Sequence, residues 1–169
     1  MTKLIFNNIL RFIILVILQV LVFNNIHVFS YLSPFIYIIF VFLLPFNTPR
    51  WILLLSGFFM GLCLDFFSNT GGVHTAATIL IAFIRPWVQN IITPTHEYET
   101  GMQPGIKGLG FKWFFLYTLI LTSIHHVCYY YLEIFSFDNF FRTLKFALLN
   151  VAFSMFFILI FQYLFYKRK

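Results

Sequence analysis

Residues 57–87 read GFFMGLCLDFFSNTGGVHTAATILIAFIRPW, two apolar runs joined by a polar link too short for anything but a tight hairpin. Gly57 and Gly61 are four residues apart and share one helical face, where another helix can approach closely. Ionisable side chains are costly in hydrocarbon, and each needs water or a partner. Three of them lie at or inside the ends of these runs: Asp65, His74 and Arg85.

The composition of the whole chain places this hairpin in a membrane protein. Of the 169 residues, 61% are hydrophobic, 22% are aromatic and only 9% are charged, and the mean hydropathy is +0.90. Such a chain suits a polytopic helical bundle, because each span takes roughly 20 apolar residues and pairs its own backbone polar groups. The apolar runs are continuous and do not alternate with period two, which disfavours a transmembrane β-barrel.

Apolar runs along the chain predict the membrane spans. We expect an all-α, polytopic integral membrane helical bundle of about six transmembrane helices, forming a single domain. The second run is bounded by prolines and is short for a span. The predicted spans lie near 12–30, 33–47, 51–67, 74–92, 112–134 and 143–166.

A polar segment, residues 93–110, separates the fourth and fifth predicted spans. It is rich in glycine, which predicts either a solvated connector or a flexible docking segment. Near the end of the first span, Asn24, Asn25 and His27 have two interpretations as well. They form either an interfacial polar patch or a polar cluster that faces other helices.

Arg85 immediately precedes Pro86, which favours a kink or a change of direction near the guanidinium. The guanidinium either extends to the lipid headgroups or pairs with a carboxylate inside the bundle.

The fifth run carries His125 and His126 well inside, and Glu133 follows seven residues after the second histidine. Residues seven apart lie on nearly the same helical face, so His126 and Glu133 could line one polar track, although a rise of about 10 Å separates them. Adjacent side chains on a helix point in different directions, so the two histidines are not expected to share a metal ion. The interpretations are hydrogen-bonded histidines between helices, or a proton or substrate path.

The basic residues lie beside apolar runs, a pattern typical of membrane topology and of anionic lipid headgroups. The formal net charge of +6 therefore predicts the lipid bilayer as a partner and no nucleic acid. Six spans would place both termini on one side of the membrane, with two cations, Arg142 and Lys145, toward the other side. The positive-inside rule then makes both termini cytoplasmic. Nine cations fall toward the terminal side: Lys3, Arg11, Arg50, Arg85, Lys107, Lys112, Lys167, Arg168 and Lys169.

Known chemical motifs do not occur in the sequence. It contains no G-x-S-x-G, no H-E-x-x-H, no glycine-rich phosphate loop and, within the apolar runs, no close pair of carboxylates. Cys63 and Cys128 lie within apolar runs and far from any metal-ligand spacing, so we expect buried thiols. The sequence therefore predicts no enzyme, no cofactor and no metal site.

The hairpin also carries a resemblance to a known family. The run FNTPRWILLLSGFFMGLCLDFFSNTGGVHTAATILIAFIRPW, followed by an acidic, proline-containing loop and then IHHVCYYYLE, resembles the MreD family of bacterial rod-shape-determining membrane proteins. The core of that family is a Gly-rich span that ends in Asp, a short link, and Gly-(Leu or Val)-His-(Ala or Thr) at the start of the next span. The matching positions are Gly57, Gly61, Asp65, Gly72, Val73, His74 and Thr75.

This resemblance implies a component of the cell-wall elongation machinery in the bacterial inner membrane. The implied partners are an MreC-like single-span protein with a periplasmic domain, a wall-elongation polymerase with its transpeptidase, and, directly or not, an MreB-like filament. The family is also similar in architecture to the six-helix substrate-binding subunits of energy-coupling-factor vitamin transporters.

Two mechanisms follow as hypotheses. In the first, the Gly57 and Gly61 face admits the partner helix, and Asp65 and His74 fix its register by hydrogen bonds. In the second, the chain is a small-molecule-binding subunit or permease of the vitamin-transporter type. Its aromatic pocket would then contain four polar side chains: Asp65, His74, His125 and His126.

Overall fold

The structure is a bundle of long α-helices, which confirms the predicted all-α class. The computed structural model describes residues 2–26, 32–92, 102–136 and 138–164, and no strand occurs in these ranges. His27, residues 93–101 of the predicted loop and the cations at 167–169 lie outside the described residues. The helices are α1 (Thr2–Leu21), α2 (Ile39–Phe42), α3 (Arg50–Ser68), α4 (Val73–Ile92), α5 (Ile106–Ile134) and α6 (Phe140–Leu164), with a 3-10 turn at Phe23–Asn25.

Within the described ranges, four helical stretches are long and apolar enough to cross a membrane: Leu4–Asn25, Arg50–Ser68, Val73–Ile92 and Phe140–Leu164. They overlap the predicted first, third, fourth and sixth spans. Helix α5, with 29 residues, is longer than these but is not one of the four, and it carries the histidines and several hydroxyl side chains. It also begins before residue 112, with a break in helical geometry at Gly110.

The predicted second span differs most from the structure. Within residues 32–49, only Ile39–Phe42 is α-helical, so a transmembrane helix over 33–47 is wrong. Residues 34–45 are nevertheless all buried. Pro34 and Pro45 each disfavour helical geometry in the residue before them, which keeps both ends of this run out of a helix. Residues 33–45 are called the core segment below, because the long helices pack around them.

Gln19 of α1 satisfies the backbone near the start of the core segment. Its side-chain oxygen accepts the N–H groups of Ile36 at 2.8 Å and Tyr37 at 3.2 Å, and its amide donates to the Pro34 carbonyl at 3.0 Å. Non-helical backbone is tolerated at membrane depth only where the protein itself pairs these groups. The buried Gln19 side chain therefore pairs backbone groups that would be paired by intrahelical hydrogen bonds if this segment were a helix.

Helix α6 also provides hydrogen-bond acceptors for the backbone of the core segment. The Asn150 side-chain oxygen accepts the N–H of Ser33 at 2.9 Å, and the Ser154 hydroxyl oxygen accepts the N–H of Phe35 at 2.9 Å. Asn150 and Ser154 are fully buried. Both are polar because the core segment needs acceptors at that depth.

The chain runs back and forth through the bundle. Arg85, late in α4, donates to the Tyr117 hydroxyl early in α5, and Phe111 at the start of α5 lies 6.4 Å, centroid to centroid, from Tyr163 near the end of α6. These contacts make α4, α5 and α6 successively antiparallel. One end of the bundle, the hairpin end, thus carries the α3–α4 link and the α5–α6 turn, and the opposite end is called the terminal end.

Helix α1 and the core segment also run in opposite directions through the bundle. Asn24, just beyond α1, donates to the Ser68 hydroxyl at the end of α3 at 3.0 Å, so both helices end at the hairpin end. Arg11, earlier in α1, donates to the Leu43 carbonyl at 3.2 Å, so the core segment returns toward the terminal end. Of the two interpretations of the asparagines, Asn24 thus matches a polar group that faces another helix.

We predict that Gln19→Leu lowers the free energy of unfolding by about 2–4 kcal/mol, because it leaves two backbone N–H groups and a carbonyl unpaired in the core. The control is Gln89→Leu, since Gln89 is also buried but its bond to the Tyr117 hydroxyl is 3.5 Å long. Unfolding of the two variants by SDS titration from mild detergent measures the difference. Equal losses would contradict the role assigned to Gln19.

Candidate functional site

Asp65 joins the end of α3 to the start of α4. Its Oδ1 accepts the Thr70 hydroxyl at 2.6 Å and the His74 N–H at 2.9 Å, and its Oδ2 accepts the Thr75 N–H at 2.8 Å and the Thr75 hydroxyl at 2.5 Å. The first N–H groups of a helix lack intrahelical partners and carry partial positive charge. Asp65 therefore caps α4 from the neighbouring helix. The residue is only 7% exposed, so these hydrogen bonds replace the water that the carboxylate has lost.

The link between the two helices turns through left-handed backbone. Asn69 has a φ of 55°, Gly71 of 59° and Gly72 of 100°. Asparagine and glycine adopt these angles at the least cost. The SNTGG link therefore reverses the chain at once and presents the start of α4 to Asp65.

Gly57 and Gly61 bring α3 and α4 into close contact. A Cβ atom on Gly61 would lie 2.4 Å from the Cα of Thr75, and one on Gly57 would lie 3.0 Å from the Cβ of Ala82. The structure corrects the hypothesis that this face receives a helix of an MreC-like partner, because α4 of the same chain occupies it. Gly57, Gly61 and Asp65 act together to close the hairpin.

Tyr37 of the core segment joins two histidines from different helices. Its hydroxyl lies 2.8 Å from Nδ1 of His74 on α4 and 2.8 Å from Nε2 of His125 on α5. All three side chains are buried. This arrangement matches the interpretation of His125 as a histidine hydrogen-bonded between helices, and it adds His74 and Tyr37 to the same chain of contacts.

Proton positions in this chain follow from the partners. Tyr37 has one hydroxyl proton, so one ring nitrogen accepts it and the other must donate. Nδ1 of His125 has no hydrogen-bond partner. Donation from Tyr37 to His74, and from His125 to Tyr37, leaves that Nδ1 as an unpaired acceptor, which is better tolerated than a buried unpaired N–H. The favoured direction therefore runs from His125 through Tyr37 to His74.

His126 holds the core segment through α6. Its Nδ1 lies 2.9 Å from the Thr122 carbonyl, which can only accept, so Nδ1 carries the proton. Its Nε2 then accepts the Ser154 hydroxyl at 2.9 Å, while the Ser154 oxygen accepts the Phe35 N–H. His126 faces α6, and His125 faces Tyr37. The adjacent histidines thus serve separate partners, as their angular separation on a helix predicts.

Arg85 is 1% exposed and does not reach the headgroups. Its Nε donates to the Tyr117 hydroxyl at 2.9 Å, and one terminal nitrogen donates to the Leu44 carbonyl and, at 3.4 Å, to the Pro45 carbonyl. The structure therefore corrects both interpretations of this residue: in place of headgroups or a carboxylate, its described partners are backbone carbonyls and a phenol. A guanidinium suits this place because it has five donors in a fixed plane.

Tyr117 and Arg11 complete the carboxyl-terminal half of the core segment. The Tyr117 hydroxyl donates to the Phe42 carbonyl at 3.1 Å, and Arg11 donates to the Leu43 carbonyl. Neither residue was selected from the sequence. Tyrosine counts as apolar in a hydropathy pattern, and Arg11 was assigned to topology alone.

Glu133 lies apart from the two histidines, at the hairpin end. Its Oε1 accepts the Tyr129 hydroxyl at 3.2 Å, and the carboxylate lines an open pocket of about 570 Å³. His74 lies at the base of this pocket, and Tyr130 is another of its lining residues. In the described ranges, no group of three His, Cys, Asp or Glu side chains is placed to hold a metal ion.

These features define a helical bundle with helices apolar enough to cross a membrane, a closed hairpin, a core segment held by polar side chains and a polar pocket at one end. Comparisons with protein-family models, with curated proteins and with solved structures find no match to this chain.

We predict that Gly61→Ala lowers the free energy of unfolding by about 1–3 kcal/mol, because the new methyl group would displace the backbone of α4. Gly108→Ala is the matched control, since a Cβ there would meet only the end of the flexible Met102 side chain. Thermal unfolding in detergent compares the two. A neutral Gly61→Ala would show that α3 and α4 can separate without cost.

We predict that Arg85→Met lowers the free energy of unfolding by about 2–4 kcal/mol, because the Leu44 carbonyl loses its donor in a buried site and the Tyr117 hydroxyl loses the donated Nε–H. The exposed Arg50 provides the control, and Arg50→Met should stay within about 0.5 kcal/mol. SDS titration of both variants makes the measurement. Similar effects of the two substitutions would contradict the proposed anchoring of the core segment.

Proposed function

We propose that this chain is a non-enzymatic membrane scaffold of the MreD type, which takes part in cell-wall elongation and cell-shape determination through contact with an MreC-like single-span partner. The observation that carries the proposal is the self-capped hairpin. The residues that carry the family resemblance, Gly57, Gly61, Asp65 and His74, serve one structural purpose, the closure of α3 onto α4 over the core segment. The residues that carry the resemblance thus form one continuous structural unit.

The filled interior favours a scaffold over a transporter. Residues 34–45 are buried along the middle of the bundle, and Arg85 and His125 are bonded to this segment. A substrate-binding subunit requires an accommodating cavity among its helices. Here the polar groups that would serve such a cavity are bonded within the protein: Asp65 to backbone N–H groups of α4, and His74 and His125 to the Tyr37 hydroxyl.

The proposed topology has six crossings, made by the long helices α1, α3, α4, α5 and α6 together with the core segment. Arg11, Arg50, Arg85, Lys107 and Lys112 lie toward the terminal end, and Arg142 and Lys145 lie toward the hairpin end. By the positive-inside rule, the terminal end is cytoplasmic and the hairpin end is periplasmic. The chain is then a multi-pass protein of the bacterial inner membrane.

Partner contact in this proposal uses the outer faces of the helices. Exposed apolar side chains cover α1, α3 and α6, as at Ile13, Leu62 and Phe156. Helices associate in lipid by packing, so an MreC-like helix would lie against such a face. The wall-elongation polymerase, its transpeptidase and, indirectly, an MreB-like filament complete the proposed assembly.

A vitamin-transporter-type binding subunit or permease is the second candidate. The observation that favours it is the pocket of about 570 Å³ at the hairpin end, with His74 at its base. Of the polar groups expected in such a site, Asp65 and His126 are instead bonded to α4 and α6.

Photo-crosslinking in cells tests the proposal. A crosslinking amino acid at Ile13, Leu62 or Phe156 places the probe on three different outer faces, and the fully buried Leu15 provides the control. At one or more of the exposed positions, we expect capture of a single-span protein with a large periplasmic domain, and none at Leu15. Depletion of the protein should turn rod-shaped cells round.

Mass spectrometry of the purified, tagged protein decides between the two candidates. Co-purification of the single-span protein with wall-elongation enzymes supports the scaffold. Purification with nucleotide-hydrolysing subunits and a retained small molecule, with cells keeping their rod shape on depletion, would overturn it in favour of transport.

A further inference from the structure

We propose that the pocket at the hairpin end binds an ammonium group, carried either by a small solute or by a lipid headgroup. This inference goes beyond the scaffold function and does not rest on it. The pocket combines an acidic side chain, an aromatic lining and the buried His74.

The charge of the pocket comes from Glu133. Among the described residues that line it, Glu133 is the only acid, and none is a lysine or arginine. The Tyr129 hydroxyl donates to one carboxylate oxygen, Oε1, and so orients the group at the wall of the pocket. The other carboxylate oxygen is available to a ligand, and a cationic ligand would complement its charge.

Aromatic rings stand beside this carboxylate. Tyr129 and Tyr130 both line the pocket, and their ring centroids are 5.3 Å apart with planes at 83°. The Tyr129 ring is buried against Phe35 and His74, so the partly exposed Tyr130 is the ring placed to contact a ligand. The faces of aromatic rings attract ammonium groups. A carboxylate next to such a ring suits an alkylammonium ligand, because the alkyl part contacts the ring while the charge meets the acid.

The base of the pocket adds a hydrogen-bonding group. Tyr37 occupies Nδ1 of His74, so Nε2 is the nitrogen that a ligand can engage. In the proton arrangement favoured above, Nδ1 accepts, and a neutral ring then carries its proton on Nε2. The pocket therefore suits a ligand with an ammonium at one end and a hydrogen-bond acceptor at the other. Ethanolamine and choline, free or as phospholipid headgroups, have this chemistry.

Purified protein tests the two sources separately. For the solute arm, isothermal titration with ethanolamine chloride and choline chloride is compared with sodium chloride at equal ionic strength. For the lipid arm, native mass spectrometry compares retention of phosphatidylethanolamine with retention of phosphatidylglycerol after reconstitution in an equal mixture. Saturable binding of either amine, or selective retention of phosphatidylethanolamine, is expected.

The variants are chosen to leave the fold intact. Glu133→Gln should weaken binding by about tenfold, because the exposed carboxylate is lost while its shape is kept. Tyr130→Leu should weaken it as well, through loss of one aromatic wall. Asp138→Asn is the matched control, since Asp138 is an exposed acid at the same end of the bundle and does not line the pocket. It should bind as the wild type does.

Two results would overturn the proposal. One is the absence of both saturable amine binding and lipid selectivity in the wild type, with the protein monodisperse and folded by circular dichroism. The other is binding that Asp138→Asn weakens as much as Glu133→Gln does, which would mean general surface charge. Neither result affects the scaffold proposal, because the purified protein is tested without partners.

Discussion

The structure depends on the pairing of backbone groups in the core segment. In a bilayer, a helix satisfies its own N–H and C=O groups, whereas a non-helical segment needs partners from elsewhere in the protein. Gln19, Asn150 and Ser154 provide them at one end, and Arg11, Arg85 and Tyr117 at the other. Four of the fully or nearly fully buried polar side chains, Gln19, Arg85, Asn150 and Ser154, therefore serve this single requirement. Their cost in an apolar bundle is offset because each one completes a backbone that would otherwise be unpaired.

The closed hairpin and the core segment support each other. Asp65 caps α4, which fixes the first turn of that helix and directs His74 toward Tyr37 in the core segment. The glycines of α3 allow the two helices to approach closely enough for this to happen. Asp65, Tyr37 and Nδ1 of His74 are thereby engaged within the chain. The surfaces left for other molecules are the outer helix faces and the pocket at the hairpin end.

Some residues of the site could be predicted from the sequence, and others could not. The sequence marked Gly61 as a point of close helix approach, which the contact with Thr75 confirms, but the approaching helix is α4 of the same chain. The sequence also marked Arg85 as a buried or interfacial cation that needs a partner. Its partners are backbone carbonyls of the core segment, and a sequence pattern does not indicate which carbonyls a side chain will meet. Tyr37 and Tyr117 were missed because a phenol within an apolar run reads as an ordinary apolar residue. Gln19, Asn150 and Ser154 did carry a signal, since each is a polar residue inside a predicted span.

The sequence by itself determined the all-α class, the tight hairpin and the approximate bounds of the third, fourth and sixth predicted spans, because these depend on apolar length, on turn residues and on neighbours close in the chain. The first apolar stretch begins at Leu4, well before the predicted residue 12. Only the tertiary structure decided that residues 34–45 are largely non-helical and buried, which helix the glycines meet, and which partner each described buried histidine and Arg85 takes. Those outcomes depend on side chains far apart in sequence, such as Gln19, Arg85 and Ser154, arriving around one stretch of backbone. No local pattern encodes such an arrangement, because the segment and its partners become neighbours only when the bundle is assembled.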